Sequence, residues 1–441
     1  MRFLVLPQGR RFLTAIVVVI SLLLTGLGGS AADPFVLVAT YDGVINPVAA
    51  EYLHDALATA QDTNAQALIV KLNTPGGLDT SMRLIIKDIT SAMVPVIVYV
   101  SPSSGRAASA GVFITMAAHV AAMAPGTNIG AAHPVAMGGD KMDEEMKTKA
   151  ENDSAAYIKS IAEQRKRNAS WAEEAVRKSV SVTAQEAVKL NVVDLVAENV
   201  PALLKQMNGR RIALQNGQVS LQTSLVAVRE FPMGLRLEFL KALSDPNIAY
   251  LLMTIGTIGI IAELYNPGAL LPGIVGAISL ILAFYSFQSL PVNYAGMLLF
   301  LLGIVFFILE ANIVSYGLLG IGGVISMLLG SVMLIKTDVE FLQISWSVIV
   351  PVVALVALFS LFVVGMGVRA MRRPTVTGRE ELIGLVGTVK TALTPHGQVA
   401  VRGELWEAMS EQPLQPGDEA EVTGIDGLRL RVKPLLKQKE A

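Results

Sequence analysis

Between Asp245 and Lys336 the chain contains no lysine or arginine, and its only charged residues are Glu263 and Glu310. A stretch of that length far exceeds the roughly 20 apolar residues that one crossing of a bilayer requires, so several helices must cross. Breaks at Asn266-Pro267-Gly268, at Ser289 to Asn293 and at Asn312 to Ser315 divide it into four segments. A fifth segment runs from Ser345 to Val368 and ends in Arg369, Arg372 and Arg373. Residues 245–370 are therefore expected to form an all-α membrane domain of about five transmembrane helices. Basic residues beside a span collect on its cytoplasmic side, which puts the arginine cluster inside and, with an odd number of spans, the N-terminal half outside.

The N-terminus agrees with that orientation. Arg2, Arg10 and Arg11 precede an apolar run from Phe12 to Leu27, and Ser30-Ala31-Ala32 supplies small residues at a cleavage position. This predicts a signal peptide over 1–32, with an uncleaved anchor helix as the alternative. The expected location is a bacterial cell membrane, with the N-terminal domain on the periplasmic or extracellular side and the C-terminal domain in the cytoplasm.

Composition removes further classes. The chain is 52% hydrophobic and 16% charged, well under the usual ~25% charged, which argues against a purely cytosolic enzyme. Lys+Arg 35 against Asp+Glu 36 leaves a net charge of -1 and no basic field to attract nucleic acid. With no cysteine there is neither disulfide nor thiolate nucleophile, and only His54, His119, His133 and His396 remain for imidazole chemistry. No cofactor is expected.

From Pro34 to about Val200, β-branched runs (Phe35 to Thr40, Ala67 to Leu72, Val94 to Val100) alternate with amphipathic stretches (Pro47 to Gln61, Thr80 to Thr90). That pattern predicts βαβ units and a parallel sheet over 33–200. Residues 201–244 read as a connector with modest helical or strand pieces. Over 376–436, short alternating segments separated by Gly or Pro predict a small all-β, OB-like barrel. Trp406 is its only aromatic residue and fits a core position better than a base-stacking platform.

Chemistry points to two strand-to-helix junctions. In Lys71 to Thr80, Gly76 and Gly77 leave backbone amides free to face a ligand, as an oxyanion hole requires. In Ser101 to Gly126, Ser109 stands among small residues at the start of a predicted helix, with Ala110 offering a second amide. An unaided serine is inert, and two kinds of base are available. Lys141, Lys147 and Lys149 lie in one charged stretch, where a lysine serves only if burial lowers its pKa. His133 is the other candidate, provided that a partner fixes its tautomer.

Thr74-Pro75-Gly76-Gly77, Arg106 to Gly111, Met123 to Pro134 and Ser181 to Ala187 resemble the long form of the NfeD family, membrane-bound serine proteases with a ClpP-like domain. The multispan region and a terminal segment containing Gly403-Glu404-Leu405-Trp406-Glu407-Ala408 share the resemblance, so it covers essentially the whole mature chain. It implies a ClpP/crotonase-like α/β fold with Ser109 as nucleophile and the amides of Gly77 and Ala110 as oxyanion donors. The family's Ser-Lys dyad, placed by the segment resembling Tyr157 to Ser160, selects Lys149. ClpP itself uses a histidine and an aspartate. His133 falls near the histidine's position, but Ser179 stands where the aspartate would be, which leaves His133 as a site-lining residue or alternative base.

The resemblance further implies endopeptidase action on hydrophobic segments of membrane proteins, a stomatin-like (SPFH) membrane partner and a homo-oligomer, dimer or larger, in the lipid bilayer. Three other readings compete. A non-proteolytic scaffold for a stomatin-like complex would not need Ser109. An acyl-CoA enzyme of the crotonase type is disfavoured by export. A transporter would use Glu263 and Glu310, but both lie near expected span ends, where interfacial snorkelling accounts for them.

Overall fold

A computed structural model describes residues 34–135, 143–224, 226–288, 290–313, 315–337, 342–371 and 379–435. The expected signal peptide, Lys141, Arg372 and Arg373 lie outside the described residues. The chain forms two compact units, Met1–Val305 with Ile321–Ala354, and Phe306–Gly320 with Leu355–Ala441.

The first unit opens with β1 (Phe35–Asp42), α1 (Pro47–Asp62), β2 (Leu68–Asn73), α2 (Asp79–Ser91), β3 (Val96–Val100), β4 (Arg106–Ala108), α3 (Ala110–Ala117), β5 (Val120–Met123) and β6 (Asn128–Gly130). There follow α4 (Glu144–Gln164), α5 (Ala169–Arg177), β7 (Ser181–Thr183), α6 (Ala184–Lys189), β8 (Leu195–Val196), α7 (Val200–Met207), the hairpin β9 (Arg211–Leu214) and β10 (Gly217–Ser220), β11 (Ala227–Phe231) and α8 (Leu235–Leu243). The main sheet has the order β11-β1-β2-β3-β5-β8, with every pair parallel. A second, smaller sheet has the order β4-β6-β7. Each early strand of the main sheet is followed by a step into the second layer and then, for β1, β2 and β3, by a helix. The step is Ile45 after β1, Thr74 and Gly77 after β2, β4 after β3 and β6 after β5. This ββα spiral is the expected ClpP/crotonase-like fold.

Both faces of the main sheet are covered, which explains the near-continuous apolar strands. Leu37, Ala39 and Tyr41 pack beneath α1 to α3, while Val36, Val38 and Ile69 pack on the other face with Leu203 and Met207 of α7. Helix starts follow local chemistry: the Ala49 N–H donates to Asn46 Oδ1 at 2.9 Å ahead of α1, where Pro47 sits at the first turn. Residues 201–244, expected as a connector, belong to the sheet domain through β11, which pairs with β1 from Phe35↔Ala227 to Ala39↔Phe231.

The C-terminal end of α3 is closed by buried cations. Arg167 donates to the carbonyls of Met116 (2.6 Å) and Ala118 (2.9 Å) and to Asp194 (2.7 Å). Burial alone would raise the Asp194 carboxyl, but Arg167 beside it outweighs that and holds it below its usual range. His119 lies at the same end of the helix. Burial, with Arg165 and Arg167 nearby, pushes its imidazole down to about 3, so it stays neutral and accepts from the Val96 N–H at 3.2 Å.

Five apolar helices follow: α9 (Pro246–Tyr265), α10 (Leu271–Phe287), α11 (Tyr294–Asn312), α12 (Leu318–Leu334) and α13 (Trp346–Met371). Pro246–Tyr265 and Trp346–Met366 are long and apolar enough to cross a membrane, and the other three are shorter apolar helices. Small residues let them approach closely: a Cβ on Gly259 would lie 2.9 Å from the Gly276 Cα, and one on Gly303 would lie 2.7 Å from the Met327 nitrogen. The two intramembrane carboxylates have local backbone partners. Glu310 accepts from Ser315 Oγ and from the N–H groups of Gly317 (3.0 Å) and Gly320 (2.9 Å), capping the start of α12, and Glu263 accepts from the Gly268 N–H at 3.3 Å.

In the second unit, β12 (Val386–Thr391), β13 (His396–Val401), β14 (Glu404–Ser410), β15 (Glu419–Asp426) and β16 (Arg429–Pro434) close a barrel in the order β12-β13-β14-β16-β15. Only β14 and β16 pair in parallel, as in an OB fold. Trp406 packs against the barrel core.

Candidate active site

Thr74 ties the two expected catalytic junctions together. Its N–H donates to the Arg106 carbonyl at 2.8 Å and its carbonyl accepts from the Ala108 N–H at 3.0 Å. Its hydroxyl, fully buried, lies 3.1 Å from both the N–H and the carbonyl of Gly76. The loop after β2 is thereby fixed against the loop that ends in Ser109. Thr74 stands in the Thr74-Pro75-Gly76-Gly77 motif, but its tying role has no local signal because it depends on a non-local bridge to Ala107.

Ser109 sits between β4 and α3 with φ 51 and ψ -115. A non-glycine residue there is strained, and the surrounding bonds hold it: its N–H donates to the carbonyls of Gly130 and Ala131, both at 3.2 Å. A serine before a helix ordinarily caps it through Oγ, yet Ser109 makes no side-chain cap bond. The hydroxyl is thus left for other work. Ala110 is the first residue of α3, so its N–H has no acceptor inside the helix and carries the positive end of the helix dipole.

The second amide follows from strand geometry. Ile45 and Gly77 form a parallel bridge in which the Ile45 N–H donates to the Gly76 carbonyl (2.8 Å) and the Leu78 N–H donates to the Ile45 carbonyl (2.7 Å). Along an extended strand, successive N–H groups alternate sides, so the Gly77 N–H points away from Ile45. Glycine is required at 77, where φ is +157 and a Cβ would fall on the Ile45 backbone. It is required at 76 as well, because a Cβ there would lie 2.6 Å from the Ser109 Cβ.

Ser109, Ala110 and Gly77 line one cleft of about 600 Å³. Leu78, Met82, Phe113, Ala132 and Val135 make much of its wall apolar. His133 lines it too, half-buried, with Nδ1 3.0 Å from the Val176 carbonyl. That bond calls for the tautomer with Nδ1 protonated and leaves Nε2 as an acceptor, but a carbonyl does not stabilise an imidazolium as a carboxylate would. Ser179 supplies no carboxylate either.

Lys149 lies in the first half of α4 and is exposed, as is Lys147. Ala150, Asp153 and Ser154 of the same helix line the cleft, and Lys149 is not among its lining residues. The structure therefore groups Ser109, Gly77, Ala110 and His133 around one space and does not bring Lys149 into its lining. Arg83 fixes α4 there. It donates to Asp79 at 2.8 Å and to Asp153 at 2.6 Å, with its guanidinium 4.3 Å from the centre of the Tyr157 ring. His54 pairs with Asp88 at 2.9 Å, and His396 belongs to the barrel.

Comparison with known proteins matches three family models: NfeD1b, N-terminal domain, over 36–210; NfeD integral membrane domain over 247–366; and NfeD-like C-terminal, partner-binding domain over 379–434. The chain is 37% identical to the membrane-bound protease PH1510 of Pyrococcus horikoshii over 437 residues, which are 96% of this chain and 98% of that protein. Among solved structures, it is similar to the 1510-N membrane protease specific for a stomatin homolog from Pyrococcus horikoshii, with 35% identity and a TM-score of 0.43 over 48% of this chain and 100% of that one. It is also similar to the C-terminal domain of stomatin operon partner protein 1510-C from the same organism, with 46% identity and a TM-score of 0.14 over 14% of this chain and 98% of that one.

Proposed function

We propose a reaction for this chain, which belongs to the NfeD family and is a membrane-bound serine protease: Ser109 and Lys149 form a dyad that cleaves hydrophobic segments of membrane proteins. Neutral Lys149 takes the Ser109 proton as Oγ attacks a peptide carbonyl, and the N–H groups of Gly77 and Ala110 hold the oxyanion. Collapse of the tetrahedral intermediate expels the amine, which leaves with the proton from Lys149. Water then attacks the acyl-enzyme by the same route and frees Ser109.

The observation that carries this reading is a strained serine, its hydroxyl unused as a cap, beside two free amides on one cleft. Apolar walls favour apolar substrate side chains. Lys149 is carried by the helix whose Ala150, Asp153 and Ser154 line the cleft. His133 is the competing base, because it lines the same cleft and its Nδ1 bond to the Val176 carbonyl selects, in the neutral ring, the tautomer with Nε2 as acceptor. A stomatin-like membrane protein is the proposed partner, through the barrel that matches a partner-binding domain. The protease domain faces outward, the barrel inward, and the chain works as a homo-oligomer. A scaffold without turnover in the cell is the alternative that the exposure of Lys149 favours.

The test is covalent labelling of the detergent-solubilised chain with a fluorophosphonate, followed by peptide mass mapping. An adduct on Ser109 that forms with an apolar peptide's competition is expected. An unlabelled Ser109 in protein that still cleaves peptides would place the nucleophile elsewhere, and unlabelled, inactive protein with partner present would favour the scaffold.

A further inference from the structure

We infer that Leu342, carried by the loop between two membrane helices, is a specificity-determining residue of the protease cleft. This rests on the reading of Ser109 as nucleophile. Leu342 lies between α12, which ends at Leu334, and α13, which begins at Trp346, yet it lines the same cleft as Ser109 and Phe113 and is only 5% exposed.

The described residues on either side of Leu342 are bonded to their surroundings. Ile335 bridges to Val292, the Gln343 side chain donates to the Thr337 carbonyl at 3.0 Å, and the Ser345 N–H donates to Asn247 Oδ1 at 2.8 Å, at the start of α9. Ile344 beside it is 7% exposed. The cleft keeps about 600 Å³ of space with Leu342 in position, so the side chain walls the cleft instead of filling it. A large apolar side chain of the substrate that docks there exchanges water for the leucine, whereas a polar one loses its hydration without a new partner. Because the wall comes from a loop joining two membrane helices, the cleft opens at the membrane surface. The substrate class is a peptide segment with a large apolar side chain, adjoining the bilayer.

The experiment uses the full chain in detergent, comparing wild type with Leu342→Ala and Leu342→Phe on peptides that vary at single positions through Ala, Leu and Phe. For one position, Leu342→Ala should lower kcat/KM for the Leu and Phe peptides by roughly tenfold and leave the Ala peptide nearly unchanged, as one lost apolar contact does. Leu342→Phe should shift the preference at that position toward the smaller side chain. A uniform loss across the series would mean a structural role, and a uniform gain would mean that Leu342 blocks the cleft; either overturns the assignment. Ser109→Ala protein, alone and with Leu342→Ala, is titrated with the same peptides. If cleavage survives in Ser109→Ala the catalytic reading fails, while binding that still loses its apolar preference with Leu342→Ala keeps the wall.

Discussion

Ser109→Ala is expected to lower peptide turnover by on the order of 10^6-fold, the scale found when an activated serine nucleophile is removed from another hydrolase. Removal of Oγ should cost little in stability, because that atom makes no cap bond and the strained backbone is held by the Ser109 N–H, which alanine retains. Peptide affinity should survive, since the apolar walls and the amides of Gly77 and Ala110 are untouched. Steady-state turnover and peptide titration on matched preparations separate the two. A loss smaller than about tenfold would show that another group carries the attack.

Gly77→Ala is expected to lower kcat by roughly 10^2 to 10^3-fold with KM little changed, the signature of a lost oxyanion donor. The added Cβ has nowhere to go. It would meet the Ile45 backbone at a φ of +157, so the loop must turn and take the Gly77 N–H off its aim. Gly268→Ala is the control for backbone strain alone, because its φ is +107 and nothing lies within 4 Å of the added Cβ. If Gly77→Ala keeps kcat and raises KM instead, the glycine serves binding and the oxyanion is held elsewhere.

Much of this was legible because the signals are local. Apolar runs with β-branched residues mark β1 to β3, and the stretch around α9 to α12, with no lysine or arginine, announces a membrane domain without any tertiary information. Gly76, Gly77 and Ser109 stand out as small residues at strand-to-helix junctions. What escaped depends on contacts between residues far apart in the chain. β11 reads as connector because four of its five residues are exposed, and only pairing with β1 makes it a strand. Thr74, Arg83 with Asp153, and Leu342 acquire roles solely from what the fold brings beside them. Glu263 and Glu310 were legible as carboxylates near span ends, but not their backbone partners, Gly268 for the first and Gly317 and Gly320 for the second. Choosing among the lysines required family resemblance, because an exposed lysine on an amphipathic helix carries no mark of its own.

The base is decided most directly by turnover of one apolar peptide by Lys149→Ala and His133→Ala in the full-length chain, each checked for peptide binding. A Ser-Lys dyad predicts a loss of about 10^2 to 10^4-fold for Lys149→Ala, the range for a positioned general base, with His133→Ala staying within about tenfold of wild type. An inactive His133→Ala beside an active Lys149→Ala would contradict the dyad and make His133, oriented by the Val176 carbonyl, the base.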